Sequence, residues 1–215
     1  MIKETMTVHK ALSELKTLEN RINAVLQNAC FVMANKHGNG KINGKPIADF
    51  NASAVNDYKS ATGLINRRNA IKRAVIQSNA TTKVVINGKE YSVAEAIDMK
   101  TAGIKSTRAL INVFGSQLEM ANRTINRENG EKLDTRADQY VKTMFEGADV
   151  KNLSEEARKL REDFIATQSY ELVDPLNAEG KLKALNKEVD AFMTEVDSAL
   201  SVSNALTTID IEYEA

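Results

Sequence analysis

Cysteine, histidine, tryptophan and proline are scarce in this chain, whose 215 residues include 1 Cys, 2 His, 2 Pro and no Trp. A single cysteine excludes an internal disulfide and fits a reducing compartment. One cysteine with two histidines cannot build a zinc site of the usual Cys/His type. The sequence therefore predicts neither a metal site nor a bound cofactor.

Long apolar runs are absent as well. No apolar stretch approaches the roughly 20 residues that a membrane span needs, and the N-terminal MIKETMTVHK lacks the apolar core of a signal peptide. Hydrophobic residues make up 42% of the chain and charged residues 27%, which is typical of soluble globular proteins. We expect a soluble, cytoplasmic protein with no membrane partner.

The common mechanistic motifs are missing too. The chain has no Walker-type phosphate loop, GxGxxG, nucleophile elbow, HExxH or EF-hand pattern. His9 falls at a predicted helix start and His37 in a Gly-rich turn, so surface roles are favoured for both. Cys30 is interpreted as a buried thiol, since no histidine accompanies it as a base. These features predict that the protein is not an enzyme.

The formal net charge of zero conceals two oppositely charged parts. Residues 1–130 contain 19 Lys+Arg and 10 Asp+Glu, whereas residues 131–215 contain 10 and 19, so the parts carry +9 and −9. Such asymmetry either marks a basic surface kept for an anionic ligand or lets the two parts neutralise each other within or between subunits.

Apolar residues at three-then-four spacing predict long helices. The first follows Thr7, an N-cap residue, and the second begins near Ser53. The third begins at Ser92, which has capping-box spacing to Glu95. Along this third helix an apolar residue recurs every seven positions, at Ile97, Ile104, Ile111, Leu118 and Ile125.

The remainder of the chain is predicted to hold further helices. The sequence RENGE at 127–131 breaks the third helix, and shorter helices are expected around 137–144 and 154–164. Asp174-Pro175 ends this region. A long closing helix over 182–203 follows, and TTIDIEYE then alternates apolar and polar residues as a terminal strand.

Two short turns punctuate the helical segments. The β-branched run over 81–86 predicts a strand, and Asn87-Gly88 after it predicts a hairpin, since both central residues of a type I′ turn need positive φ. The tetrapeptide INGK occurs at 42–45 and again at 86–89. This repeated tetrapeptide reflects either the duplication of a helix–hairpin–helix unit or a chance match of turn-prone residues.

These elements together predict a mainly α fold, with long antiparallel helices in a bundle or coiled coil, small β-hairpins and a C-terminal strand. We expect residues 1–130 to form a basic helix–hairpin–helix–hairpin–helix region and 131–175 an acidic insertion of short helices. Residues 176–215 are expected to close the fold and to pack as one domain with 1–130. The length of the apolar seams predicts a homo-oligomer.

A basic cluster on the second helix is the best candidate for a binding site. Arg67, Arg68, Lys72 and Arg73 place guanidinium and ammonium groups along one helix flank, and guanidinium groups suit phosphate or carboxylate oxygens. The alternative is a solvated helix face. Extended nucleic acid is a weaker candidate ligand, because aromatic residues make up only 5% of the chain.

Polar residues near this cluster extend the candidate ligand-binding set. Asn79, Thr81 and Thr82 follow the cations and offer neutral donors and acceptors for a sugar or a base edge, as do the interleaved Asn66 and Asn69. Arg123, near the end of the third helix, completes the candidate set, although the helix dipole alone explains a cation there.

The stretch LINRRNAIKRAVIQSNATTKVVINGKEYSVAEAIDMK resembles the septicolysin-like family of small bacterial and phage proteins, through Asn79, Thr82, Gly88, Ser92 and Glu95. The closing EVDAFMTEVDSALSVSNALTTIDIEY is similar to that family's last helix. The resemblance covers under half of the chain and implies a long-helix, oligomer-forming fold, with no settled activity to carry across. The Asn-rich, Pro-poor style of the chain resembles that of a phage of a low-GC Gram-positive host.

Two functions of different classes are consistent with these features. The first is a phage protein that binds and sequesters a small phosphate-bearing, nucleotide-derived signalling molecule and so counters a host defence. The second is a structural or assembly protein of a phage particle, which the long helices and complementary charges favour.

Overall fold

The structure is a computed structural model and describes residues 1–146, 149–150 and 152–214. It confirms the mainly α fold with small antiparallel strand pairs. The helices are α1 (Val8–Asn28), α2 (Ile47–Thr81), α3 (Val93–Asp98), α4 (Ile104–Glu128), α5 (Glu131–Met144), α6 (Glu155–Gln168) and α7 (Ala178–Leu206). The strands are β1 (Ile2–Thr7), β2 (Lys41–Ile42), β3 (Lys45–Pro46), β4 (Lys83–Ile86), β5 (Lys89–Ser92) and β6 (Thr208–Tyr213).

The chain forms two compact units. Unit 1 comprises Met1–Ala102 together with the segment from Ala191 onward, and unit 2 comprises Gly103–Asp190. These boundaries differ from the predicted ones, since α4 belongs to unit 2 and not to the same unit as the first 102 residues. Unit 1 holds 15 Lys+Arg and 13 Asp+Glu, and unit 2 holds 14 and 16, so each unit is close to neutral.

The core of unit 1 lies where a two-stranded sheet covers α1 and α2. β1 and β6 pair antiparallel from Ile2 opposite Tyr213 to Thr7 opposite Thr208. Alternation along the strands points three apolar residues inward, and these pack with the inner faces of the two helices. The buried residues of this core are Met6, Val8, Ala11, Leu15, Leu18, Ile71, Val75, Ile209 and Ile211.

Both INGK tetrapeptides form hairpins with the same turn geometry. Asn43 and Asn87 each have φ of 49°, and the glycines after them have φ of 80° and 72°. A side chain at either glycine would be strained, because L-residues rarely adopt these angles. The second hairpin is covered within unit 1: the Tyr91 ring meets Phe192 edge-on at 5.7 Å.

Local capping sets several helix boundaries as predicted. The Thr7 hydroxyl accepts a hydrogen bond from the Lys10 N–H at 3.2 Å at the start of α1. Ser92 and Glu95 form a full capping box at the start of α3. The predicted third helix runs from α3 into α4 through a π-helical turn over Met99–Gly103. The break after α4 is also confirmed, at Gly130 with φ of 63°.

Three expectations were wrong in detail. α2 begins at Ile47 rather than near Ser53, because Pro46 directly before it has a φ suited to a helix start. The helix also continues through Thr81, whose hydroxyl donates back to the Gln77 carbonyl, so β4 starts only at Lys83. Cys30 is exposed and not buried, because α1 ends before it at Asn28.

Unit 2 is held together by contacts among α4, α5 and α6. Arg161 of α6 binds Asp138 and Asp134 of α5, each at 2.7 Å. The hydrogen bond from Arg161 to Asp138 is the main cause that raises the pKa of Arg161. The rings of Tyr140 and Phe164 stack with centroids 4.8 Å apart. No helix of the described residues is both long enough and apolar enough to span a bilayer.

The capping box makes the stability of α3 depend on pH. The Ser92 backbone N–H donates to the Glu95 carboxylate at 2.6 Å, and this hydrogen bond lowers the pKa of Glu95. A carboxyl group with a lowered folded-state pKa stabilises the fold above its unfolded-state pKa, and this contribution is lost as the pH falls. We expect the melting-temperature difference between wild type and Glu95→Gln to shrink as the pH falls below about 4.3, measured by circular dichroism.

Candidate functional site

The predicted cluster lies in the second half of α2 and divides between two sides of the helix. One side faces α1 and the β1–β6 sheet, and the other faces solvent. Successive residues of a helix point about 100° apart, so neighbours in sequence do not share a surface. The four cations therefore have different surroundings.

Arg67 is bound inside unit 1. Its guanidinium pairs with Glu14 of α1 and with Glu4 of β1, at 2.9 Å for the latter, and donates to the Tyr213 hydroxyl. The guanidinium carbon also lies 5.2 Å from the centre of the Tyr213 ring. The hydrogen bond to Glu14 is the main cause that raises the pKa of Arg67, against the opposing effect of burial. The guanidinium of Arg67 is thus used by contacts within unit 1.

Arg68 is ion-paired within unit 1, whereas Lys72 and Arg73 have no ion-pair partner in the part of the chain that the structure describes. Arg68 lies 3.4 Å from a carboxylate oxygen of Glu19 on α1. This pair is half-exposed and contributes little to stability. Lys72 and Arg73 are exposed, and neither forms an ion pair with any other residue that the structure describes. These two cations remain available to a ligand.

Arg73 lines an open groove of about 370 Å³ beside the end of β6. Asn66, Asn69 and Ala70 share its helix face, because they lie seven, four and three positions before it. The other lining residues are Met1, Glu212, Tyr213 and Glu214. The groove therefore presents one guanidinium, two amides, a phenol ring and two carboxylates.

The other predicted site residues lie away from this groove. The Thr81 hydroxyl donates to the carbonyls of Gln77 and Ser78, so its proton is used in hydrogen bonds within the last turn of α2. Thr82 is the C-cap of α2, and its hydroxyl lies 3.4 Å from that of Ser78. Asn79 is half-buried near the same helix end.

Arg123 belongs to unit 2 and is ion-paired with Glu119 one turn earlier on α4. The hydrogen bond to Glu119 raises the pKa of Arg123. This exposed pair is typical of a solvated helix surface. Nothing in its surroundings distinguishes it as a ligand contact.

The groove combines groups that suit a polar, phosphate-bearing molecule. A guanidinium binds phosphate oxygens in a fork, and amides donate to oxygens beside it. Carboxylates accept hydrogen bonds from the hydroxyls of a ribose. Among the residues described, no three His, Cys, Asp or Glu side chains converge as a metal site would require.

Sequence reasoning missed the residues that complete this region. Glu4, Glu14 and Tyr213 bind Arg67 from positions 63, 53 and 146 residues away in the chain. No local spacing connects them, since the pairing of β1 with β6 brings them together. The alternation of Ile209, Ile211 and Tyr213 was the one available signal, and it indicated a strand but not its partner.

Comparisons with known proteins find no relative. No family model matches the chain, and no curated protein or solved structure matches it either. The septicolysin-like resemblance and the phage origin therefore stay predictions.

Arg67 and Arg73 differ in what they stabilise. Arg67→Ala leaves Glu4 and Glu14 as partly buried carboxylates without their counter-charge, and we expect it to lower the free energy of unfolding by about 2–3 kcal/mol. Arg73→Ala removes no ion pair or hydrogen bond among the described residues, and we expect it to change the free energy of unfolding by less than about 0.5 kcal/mol. Urea titration of both variants tests this, and equal losses would contradict the assignment.

Proposed function

We propose that the protein binds a small, phosphate-bearing, nucleotide-derived molecule without converting it. The observation that carries this proposal is the guanidinium of Arg73, which has no ion-pair partner among the described residues and lies over a groove that also exposes Asn66 and Asn69. The groove volume of about 370 Å³ lies within the range of small-molecule sites. Sequestration of a host defence signal by a phage protein is the biological role that we infer.

The groove also restricts the chemistry of the ligand. Glu212 and Glu214 lie on its rim, and Glu212 already pairs with Lys3 at 3.5 Å. A bare polyanion would be repelled by these carboxylates. A molecule with phosphate at one end and hydroxyl or amino donors at the other satisfies both Arg73 and the glutamates, so we favour a nucleoside phosphate over inorganic phosphate.

Binding without turnover fits the groups that line the groove. They include no serine, threonine, cysteine or histidine, and the groups that could act as a base are Glu212, which already pairs with Lys3, and Glu214. We propose a homo-oligomer working in the host cytoplasm. Exposed apolar side chains along the helices support self-association, among them Val55, Tyr58, Ile76, Leu110, Val113 and Met120.

Isothermal calorimetry against cyclic and ADP-ribose-derived nucleotides tests the proposal. We expect Arg73→Ala to weaken binding roughly 10- to 100-fold, the loss of one charge-assisted bidentate contact. Arg123→Ala serves as the matched control, because it also removes a surface arginine of a helix and is expected to bind like wild type. Equal affinity in both variants, or no binding by folded wild type, would overturn the proposal.

Chromatography of the ligand after incubation separates binding from turnover. We expect the nucleotide to be recovered intact and in full after the protein is denatured. Recovery of a hydrolysed product would instead assign an enzyme.

A structural or assembly role in a phage particle is the second candidate. Its specific support is the ion-pairing of Arg67 and Arg68 within unit 1, which leaves a smaller cationic surface than the sequence predicts. Mass spectrometry of purified virions distinguishes the two roles. Stoichiometric presence in particles favours assembly, and absence favours capture of a soluble ligand.

A further inference from the structure

α2 has two faces that carry apolar residues. One is buried, and the other is largely exposed, although its Tyr58 ring meets the Phe31 ring edge-on at 6.4 Å. The helix has 35 residues and is therefore about 52 Å long. Its inner face packs against α1 and β6 through Ile71 and Val75, and Ala61 is also buried. On the second face Val55, Tyr58 and Ile76 are 53%, 61% and 58% exposed.

Nine positions on the exposed face recur at heptad spacing, and four of them are apolar. Its residues alternate steps of four and three positions, which is the seam of a coiled coil. Every member is exposed or half-buried in this chain. The seam comprises Asn51, Val55, Tyr58, Thr62, Ile65, Asn69, Lys72, Ile76 and Asn79.

We propose that this seam pairs antiparallel with the same seam of a second copy, about a two-fold axis that passes Ile65. In this register each residue meets a partner of compatible chemistry. The layers are Ile65 on Ile65, Thr62 on Asn69, Tyr58 on Lys72, Val55 on Ile76 and Asn51 on Asn79, and all but the first occur twice.

The chemistry of the layers supports this register. Two apolar layers of Val55 and Ile76 flank the central isoleucines at equal distances. The Thr62 hydroxyl donates to the Tyr58 and Lys59 carbonyls, so its oxygen can accept from the Asn69 amide N–H of the second copy. Asn51 and Asn79 can exchange a hydrogen bond. The ammonium group of Lys72 meets the ring of Tyr58, a favourable cation–π arrangement.

Charge favours the antiparallel arrangement over the parallel one. A parallel, in-register pair would place Lys72 beside Lys72 of the second copy, with Arg73 and Arg68 also close to their own equivalents. The antiparallel pair separates these cations. It also brings Lys59 of the second copy to the flank that carries Arg73, where Glu214 lies exposed without an ion-pair partner among the described residues.

This arrangement places a second cation at the groove. Lys59 of the second copy would lie at the rim beside Arg73 and offset the charge of Glu212 and Glu214. The inference thus rests on the proposed homo-oligomer and extends the ligand site across two copies, with Asn69 at the border that the seam shares with the groove. The partner proposed for the exposed face of α2 is a second molecule of this chain.

Charge-swap variants test the register by sedimentation equilibrium. Val55→Glu or Ile76→Lys alone inserts a charge into two layers of each dimer, and we expect the dimer dissociation constant to rise at least roughly 100-fold. The double variant, which carries both substitutions, sets a carboxylate against an ammonium group in each of these layers, and we expect it to recover most of this loss. Val85→Glu, at a 63% exposed position of β4, is the control and should dimerise like wild type.

Disulfide trapping tests the axis directly. In a Cys30→Ser background, Ile65→Cys is expected to form a covalent dimer, whereas Val55→Cys is not, because the two Val55 positions lie far apart in an antiparallel pair. A monomeric wild type, failure of the double variant to recover, or trapping through Val55→Cys would overturn the proposal. Nucleotide calorimetry on the Ile76→Lys monomer separates the two ideas. Weakened but measurable binding supports the shared site, whereas undiminished binding overturns it and leaves the ligand proposal standing alone.

Discussion

Arg67 is the point at which distant parts of unit 1 meet. Its guanidinium joins α2 to Glu14 of α1, to Glu4 of β1 and to Tyr213 of β6, so one side chain contacts every element of that core. Below it lie the apolar residues that the sheet and the two helices bury together. The side chain is 21% exposed, which keeps the cost of desolvating the charge moderate while its partners satisfy the donors.

This use of Arg67 decides how the basic cluster can function. Four cations in seven positions suggest one anionic site, yet α-helical geometry turns Arg67 inward and Arg73 outward. The inward residue stabilises the fold, and the outward one is free for recognition. The proposed binding role therefore depends on Arg73 and its neighbours and does not require the cations outside the groove.

Elements governed by local chemistry were predictable from the sequence. Asn-Gly turns, the Thr7 and Ser92 caps and the heptad repeat of α4 each depend on residues close in the chain. β1 was not predicted, because it exists through pairing with a strand about 200 residues away. The groove shares this dependence: Asn66, Asn69 and Arg73 were noticed on the helix, but Glu212 and Tyr213 reach it only through that pairing.

The pairing of β1 with β6 has a consequence for how the protein is made. Ile2 leaves the ribosome long before its partner Tyr213, with nearly all of both units between them. Until then α1 and α2 pack together without the sheet, and the apolar residues that the sheet later covers stay open to solvent. Synthesis thus exposes an incomplete core for most of this interval, which makes the completion of unit 1 a late event and gives chaperones time in which to bind it.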